Sequence, residues 1–297
     1  MDPVELLRRS GGVAGPVLVH VCGRGPVRTA LAAGLVVRVG RGRFALPAVL
    51  DSVGVAHGMS AVLSHLSAAR FWGWEVASPL DAVEVVVPRD RRAHRATRVV
   101  VRRRNLAAGD VTVPGVTSPL RTVLDVATDH PFPTALAVAD SALRSRLVEA
   151  DELVAAAAGT PARGHARRMK VALAADPRAD NQFESALRAL ALEAGLHVEP
   201  QVSLFTGDRW VRPDLLDEQR GLALEAESFT WHGQRSQLMK DCRKYNDLGL
   251  MGLTLLRFAW EHVMVERAYT RAVLEAAVEG PRPWRGSGAT RPSDRAA

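Results

Sequence analysis

The 297-residue chain contains no isoleucine, only two cysteines, and only three lysines (Lys170, Lys240 and Lys244) among its 39 basic residues. Valine for isoleucine and arginine for lysine on this scale reflect a GC-rich coding sequence, so abundant arginine is not by itself a sign of function. Cys22 and Cys242 stand far apart without metal-like spacing, which excludes a disulfide scaffold and a paired-cysteine zinc module. Aromatic residues make up only 5%, so the cores must rest on Leu, Val and Ala. No apolar run approaches the roughly 18 residues needed to span a bilayer. The opening Met1-Asp2-Pro3-Val4-Glu5 lacks the basic-then-apolar pattern of a secretory signal. A soluble, cytoplasmic protein is the expectation. What is there is ordinary globular usage, 47% hydrophobic and 24% charged, in a length that suits two domains.

Charge is unevenly spread. Residues 1–175 carry 23 basic against 14 acidic side chains, a net +9. Residues 176–280 carry 12 against 17, a net −5, and residues 281–297 carry 4 against 1, a net +3. A basic front and an acidic back suit one part that holds a polyanion and another that holds metal or does acid chemistry, although two solvated faces of opposite sign would give the same count.

Residues 1–50 read as a short helix, a Gly11-Gly12 break, another element starting over Val17 to Val21, a helix from Pro26 to Ala33 closed by Gly34, and two short strands about Gly40-Arg41-Gly42. This is the order of a winged helix, with Arg24 and Arg28 at the recognition helix and Arg38, Arg41 and Arg43 on the wing, placed for phosphate contacts. A helix–hairpin module for protein contacts would look the same. Residues 51–158 read as a mixed α/β region. In it Ser60 to Trp74 is expected as one amphipathic helix carrying His65, with strands near 83–87 and 98–101 and a helix capped by Ser118 before Pro119. Gly159, Pro161, Gly164 and Pro177 mark 159–180 as a linker, and 281–297 has the composition of a disordered tail.

The informative stretch is 181–280, which reads α-β-β-β-α-β-α. Asp214 follows Pro213 on the second strand, while Glu225 and Glu227 are two apart on the third and so share a face. Acids on an otherwise apolar strand are costly without a partner. A hard cation such as Mg²⁺, which takes one or two carboxylates plus substrate phosphate, is the natural remedy. Each residue has a plainer reading too. Glu184 stands three after Asn181 as in a capping box, Asp214 could end a strand, the Glu225/Glu227 pair could face water on an edge, and His232 could pack with Trp231.

The run Pro213-Asp214 followed by Glu225-Ala226-Glu227 resembles the PD-(D/E)XK motif of the restriction-endonuclease-like fold. With Glu184, His232, Asp241 and Leu255-Leu256-Arg257-Phe258 the resemblance narrows to the domain related to very-short-patch-repair (Vsr) endonucleases. Residues 1–175 resemble the AbiEi-type abortive-infection antitoxin region, on the winged-helix order, Leu63-Ser64-His65-Leu66-Ser67-Ala68-Ala69, Thr117-Ser118-Pro119-Leu120-Arg121-Thr122 and Asp140. The resemblance implies an α/β protein in which Asp214 and Glu225, with Glu227, bind Mg²⁺ or Mn²⁺. It implies Glu184 as an outer or second-metal acid and His232 as a base or water-orienting group, with DNA as the substrate. Glu227 occupies the motif's lysine position and cannot supply its charge, so a second metal, Arg243 or Lys244 would have to. The implied function is a metal-dependent endonuclease targeted by its basic front. The alternative is a transcriptional regulator or antitoxin with an inactive nuclease-like domain, partnered by a toxin or other defence-system protein; a third reading is an interaction scaffold. Double-strand cleavage would call for a homodimer or a second site.

Overall fold

The computed structural model describes residues 2–9, 13–47, 52–76, 81–91, 98–159, 163–227 and 235–280. The chain is α/β and divides into two compact units, Met1–Ala189 and Leu190–Ala297. No helix among the described residues is long and apolar enough to cross a membrane.

The first unit opens with α1 (Pro3–Arg9), β1 (Val13–Ala14), α2 (Val17–Cys22), α3 (Arg24–Ala32), β2 (Val37–Gly40) and β3 (Arg43–Ala45). The strands form an antiparallel sheet in the order β1-β3-β2. Leu7, Leu18, Val27 and Phe44 close a small core against it. Gly42 makes the hairpin turn at φ +67°, but Gly40 has a different duty. A Cβ there would lie 2.5 Å from the carbonyl oxygen of Gly58, so the bare backbone lets the hairpin touch the end of α4 (Ser52–Gly58).

A five-stranded sheet follows, built from β4 (Val62–Leu63), β5 (Val83–Val87), β6 (Val99–Arg103), β7 (Val111–Val113) and β8 (Val116–Thr117) in the order β6-β5-β4-β8-β7. The expected helix from Ser60 to Trp74 is therefore cut in two. Val62–Leu63 is the central strand, paired on both sides, and only α5 (His65–Phe71) is helical. Helical periodicity misleads here because a central strand, buried on both faces, carries no polar alternation. The corner costs a left-handed His65 at φ +51°.

Helices α6 (Pro119–Asp129), α7 (Phe132–Arg144), α8 (Ala150–Ala158) and α9 (His165–Ala174) pack with α5 around Val123, Val138, Leu153 and Val171. Ser118 Oγ accepts from Arg121 N (3.3 Å) with Pro119 at the first helical position, as the sequence predicts. The segment 159–180 is not a linker. Helix α9 buries Val171 and Ala172, and the turn after it is pinned by Asp140 and Arg188. Asp140, wholly buried, accepts two bonds from Arg188 (2.7 and 2.8 Å) and one from Asp176 N (2.8 Å), while Arg188 also donates to Ala174 O (2.6 Å). Glycine and proline mark the ends of this segment, and they hide the short amphipathic helix between them. Helix α10 (Gln182–Ala194) carries the division between the units within it.

The second unit continues with β9 (Glu199–Pro200), β10 (Leu204–Phe205), β11 (Trp210–Val211), β12 (Leu215–Asp217), β13 (Leu222–Glu227), α11 (Arg235–Leu250), β14 (Thr254–Ala259), α12 (Trp260–Met264) and α13 (Arg267–Val278). Four strands form the sheet β14-β13-β12-β9, while β10 and β11 make a separate hairpin. Where the sequence reads two strands before Glu225, the structure has four short ones, β9 to β12, and Asp214 sits at the bend just before β12 rather than on a strand. The single last helix is likewise two.

Replacing Arg188 by Met would leave the Asp140 carboxylate buried without its counter-ion. We expect a loss of about 3–5 kcal/mol in urea unfolding, the cost typical of breaking a buried pair. A loss below about 1 kcal/mol, the range of a surface pair, would contradict the assignment.

Candidate functional site

Strand β13 lies inside its sheet, antiparallel to β12 and parallel to β14, and its first four residues are buried. The β12–β13 register pairs Leu215 with Leu224, and one step further sets Asp214 opposite Glu225. Asp214 Oδ2 accepts from Ala226 N (2.8 Å), so the carboxylate of the bend continues the ladder that its own backbone leaves. Helix α11 lies against β14 and β11 and is anchored by the buried Leu248. Lys244 stands one turn before Leu248 and so faces the same way. Its Nζ lies 2.7 Å from Glu225 Oε2 and 3.6 Å from Asp214 Oδ1. Of the two neighbouring basic residues on α11, Lys244 reaches both carboxylates, while Arg243 is exposed.

Glu227 does share the face of Glu225, but it has its own partners. Tyr245 Oη donates to Glu227 Oε1, Arg257 Nε donates to the same oxygen (3.0 Å), and the Arg257 guanidinium stacks 4.0 Å over the Tyr245 ring. Of the three residues expected as metal ligands, Asp214 and Glu225 thus share Lys244, and Glu227 does not. Among the described residues no three His, Cys, Asp or Glu side chains converge as a metal cluster. Tyr245 went unnoticed in the sequence because a lone tyrosine on a polar helix has no distinguishing pattern; its place beside Lys244 was the available signal.

The electrostatics are those of an acid pair short of positive charge. Burial and the neighbouring Asp214 and Glu227 charges push Glu225 up to about 7 in spite of Lys244. Burial also raises Asp214, against the pull of Lys244 and Ala226 N–H. Glu225 Oε1 is buried and has no hydrogen-bond partner among the described residues.

The other expected residues that the structure describes belong to the first unit. Glu184 belongs to the first unit, where its oxygens accept from Asp180 N (2.9 Å) and Asn181 Nδ2 (2.8 Å) while Asn181 Oδ1 accepts from Glu184 N (3.0 Å). Asn181 Oδ1 thus caps the start of α10, and Glu184 answers on the backbone N–H of Asp180, one residue before the position that a capping box uses. His232 lies outside the described residues. Arg24 and Arg28 are exposed on one face of α3, Arg38 and Arg41 are exposed on the β2–β3 hairpin, and Arg43 is half-buried. Burial and the nearby Arg91 lower the Arg43 pKa.

Sequence reasoning also missed a polar network in the first unit. Glu84 accepts from Leu66 N (2.9 Å), Arg102 (2.8 Å) and His130 (3.0 Å), and although burial opposes it, His130 and Arg102 hold Glu84 at about 2. His65, fully buried and kept neutral by desolvation, bridges Ser64 Oγ (2.8 Å) and Asp129 (3.0 Å). The side chain of His65 thus holds the strained corner at its own backbone.

No family model matches the chain. The chain is similar to the curated "Uncharacterized protein MT2308" and "Uncharacterized protein Rv2248" of Mycobacterium tuberculosis. Each is 27% identical over 221 residues, covering 73% of this chain and 81% of theirs. The RV2827C protein of Mycobacterium tuberculosis, known from a crystal structure, aligns over 69% of this chain and 87% of its own at 17% identity. Its TM-score is 0.33, an overlap too loose to carry an argument.

Glu225 leads to a pH dependence. Its pKa rises from 4.5 in the unfolded chain to about 7 on folding, so the folded form holds the proton more tightly. Its contribution to stability is complete below pH 4.5 and is lost as the pH rises through 7. In EDTA, the melting temperature is expected to fall between about pH 5 and pH 8, and Glu225→Gln is expected to flatten that fall. An unchanged slope in the variant would contradict the shift.

Proposed function

We propose that the second unit is a metal-dependent phosphodiesterase centre acting on DNA, with Asp214 and Glu225 as metal ligands and Lys244 as the catalytic cation. The observation that carries this reading is the convergence of Lys244 Nζ on two proton-hungry carboxylates, the buried Glu225 of β13 and the half-buried Asp214 at the bend before β12. The donor set fits Mg²⁺ or Mn²⁺. It offers two hard oxygen ligands, an unpartnered buried oxygen on Glu225, and an excess of negative charge that one lysine does not cancel. When bound, such a cation supplies polarisation of a phosphoryl oxygen and a water of lowered pKa.

Asp214 is held in place by Ala226 N–H, and Glu225 by its position in the sheet, so the ligand geometry needs little rearrangement. Lys244 would leave the carboxylates for a non-bridging phosphate oxygen and oppose the charge that develops there, the task Glu227 cannot perform. The exposed Arg24, Arg28, Arg38 and Arg41, with Arg43, would bring DNA to the protein through phosphate contacts.

A second reading, a DNA-binding regulator or antitoxin with a toxin or other defence-system protein as partner, is favoured by one observation. Lys244 bridges the acid pair, the ion-pair arrangement that a retired site would keep. Under this reading Arg28→Glu weakens DNA binding and no cleavage occurs.

Plasmid nicking with Mg²⁺ or Mn²⁺ separates the two. Nicking is expected to stop in EDTA and to fall by at least ~100-fold in Asp214→Ala, Glu225→Ala and Lys244→Met. Nicking that persists in both carboxylate variants, or DNA binding without any metal-dependent nicking, would overturn the nuclease reading.

A further inference from the structure

The first unit holds a cavity of about 720 Å³ walled by the end of β6, by α6 and α8 and by the start of α9. Seven arginines and two aspartates line it, an imbalance that neighbouring acids do not remove. Three of the arginines are committed. Arg102 pairs with Glu84 (2.8 Å) and Asp129 (3.3 Å), Arg104 with Asp125 and Asp129, and Arg121 with Asp125 (2.7 Å). Arg89, Arg163 and Arg168 have no carboxylate partner among the described residues. Arg168 makes do with the Arg163 carbonyl (3.0 Å) and Thr128 Oγ1 (3.5 Å). Burial, with the adjacent Arg121 and Arg104 charges, lowers its pKa.

Two further features point to a missing ligand. Arg102 Nε and Arg121 Nε are buried donors without a hydrogen-bond partner among the described residues, and both belong to lining residues. Beside the arginines, Leu124 and Ala156 add a small apolar surface to the lining. Like charges held together in a cleft cost stability unless an anion joins them, and planar guanidinium groups are matched to phosphate oxygens.

We propose that this cavity binds a small polyphosphorylated anion of the nucleoside triphosphate class, gripped by Arg89, Arg163 and Arg168 over the paired layer of Arg102, Arg104 and Arg121. The volume falls within the range of small-molecule sites, roughly 300–1,000 Å³. The cleft form and the apolar contact surface favour such a ligand over a duplex, which would call for an extended basic face. The site is separate from the Asp214 centre and does not depend on that centre being active.

The test is isothermal titration of the full chain with ATP, AMP and inorganic tripolyphosphate in EDTA, which keeps metal–nucleotide complexes off the acidic centre. ATP and tripolyphosphate are expected to bind at one site per chain, more tightly than AMP and more weakly as salt rises. Arg163→Ala and Arg168→Ala are each expected to weaken ATP by roughly tenfold or more, the loss typical of one charge-assisted hydrogen bond. Neither residue holds a carboxylate, so the melting temperature without ligand should stay within a few degrees of the parent. Absence of binding by both polyphosphates at millimolar concentration, or unchanged affinity in both variants, would overturn the proposal. So would a single-stranded 12-mer that binds through these arginines when ATP does not, since that would make the cleft a nucleic-acid groove.

Discussion

A carboxylate taken out of water must find a cation or keep its proton, and this constraint shapes both units of the chain. In the first unit the buried acids are matched. Asp140 meets Arg188 in two hydrogen bonds, Glu84 meets Arg102 and His130, and Asp125 meets Arg104 and Arg121. Those pairs tie α7 to α10, β5 to β6 and β6 to α6, so the ion pairs hold the same elements that the apolar core brings together. Pairing of this kind adds little net stability over an apolar core, but removing one partner is costly, which fixes the arrangement once it has formed.

The second unit departs from that rule at one place. Asp214 and Glu225 share a single Lys244, and Glu225 is left titrating near neutrality with one oxygen unpartnered. A core strand that needed only stability would carry leucine at that position. Perturbed acids that converge with a cation are the arrangement expected where charge must be exchanged during a reaction. The first unit shows the opposite imbalance, with arginines crowded about a cleft and four of them, Arg89, Arg103, Arg163 and Arg168, lacking a carboxylate partner among the described residues. Under both proposals, surplus charge of each sign marks a place where a ligand would complete the structure.

Much of the fold was legible in the sequence wherever local chemistry is decisive. Ser118-Pro119 starts a helix, Gly42 turns a hairpin, and the valine-rich runs at 83–87 and 99–103 are strands. What was not legible depends on partners distant in the chain. Val62–Leu63 becomes a strand because β5 and β8 flank it, and helix α9 forms in a Gly- and Pro-bounded stretch because a hydrophobic core receives Val171 and Ala172. At the candidate site the acids Asp214 and Glu225 could be named from spacing, and Glu184 could be given a cap or a ligand role with equal ease. Only the register of β12 on β13 and the seating of α11 distinguish Lys244 from Arg243, or move Glu227 to Tyr245 and Arg257.

The central claim is that Asp214 and Glu225 form a metal site whose charge Lys244 completes. Anomalous diffraction from crystals grown with Mn²⁺ and a short DNA duplex tests it most directly. The account predicts a Mn²⁺ peak bonded to Asp214 and Glu225, with Lys244 Nζ moved from the carboxylates to a phosphate oxygen. A Mn²⁺-free pair with Lys244 still bridging it, in crystals where DNA is bound, would contradict the account and leave the acids as a remnant held together by a single lysine.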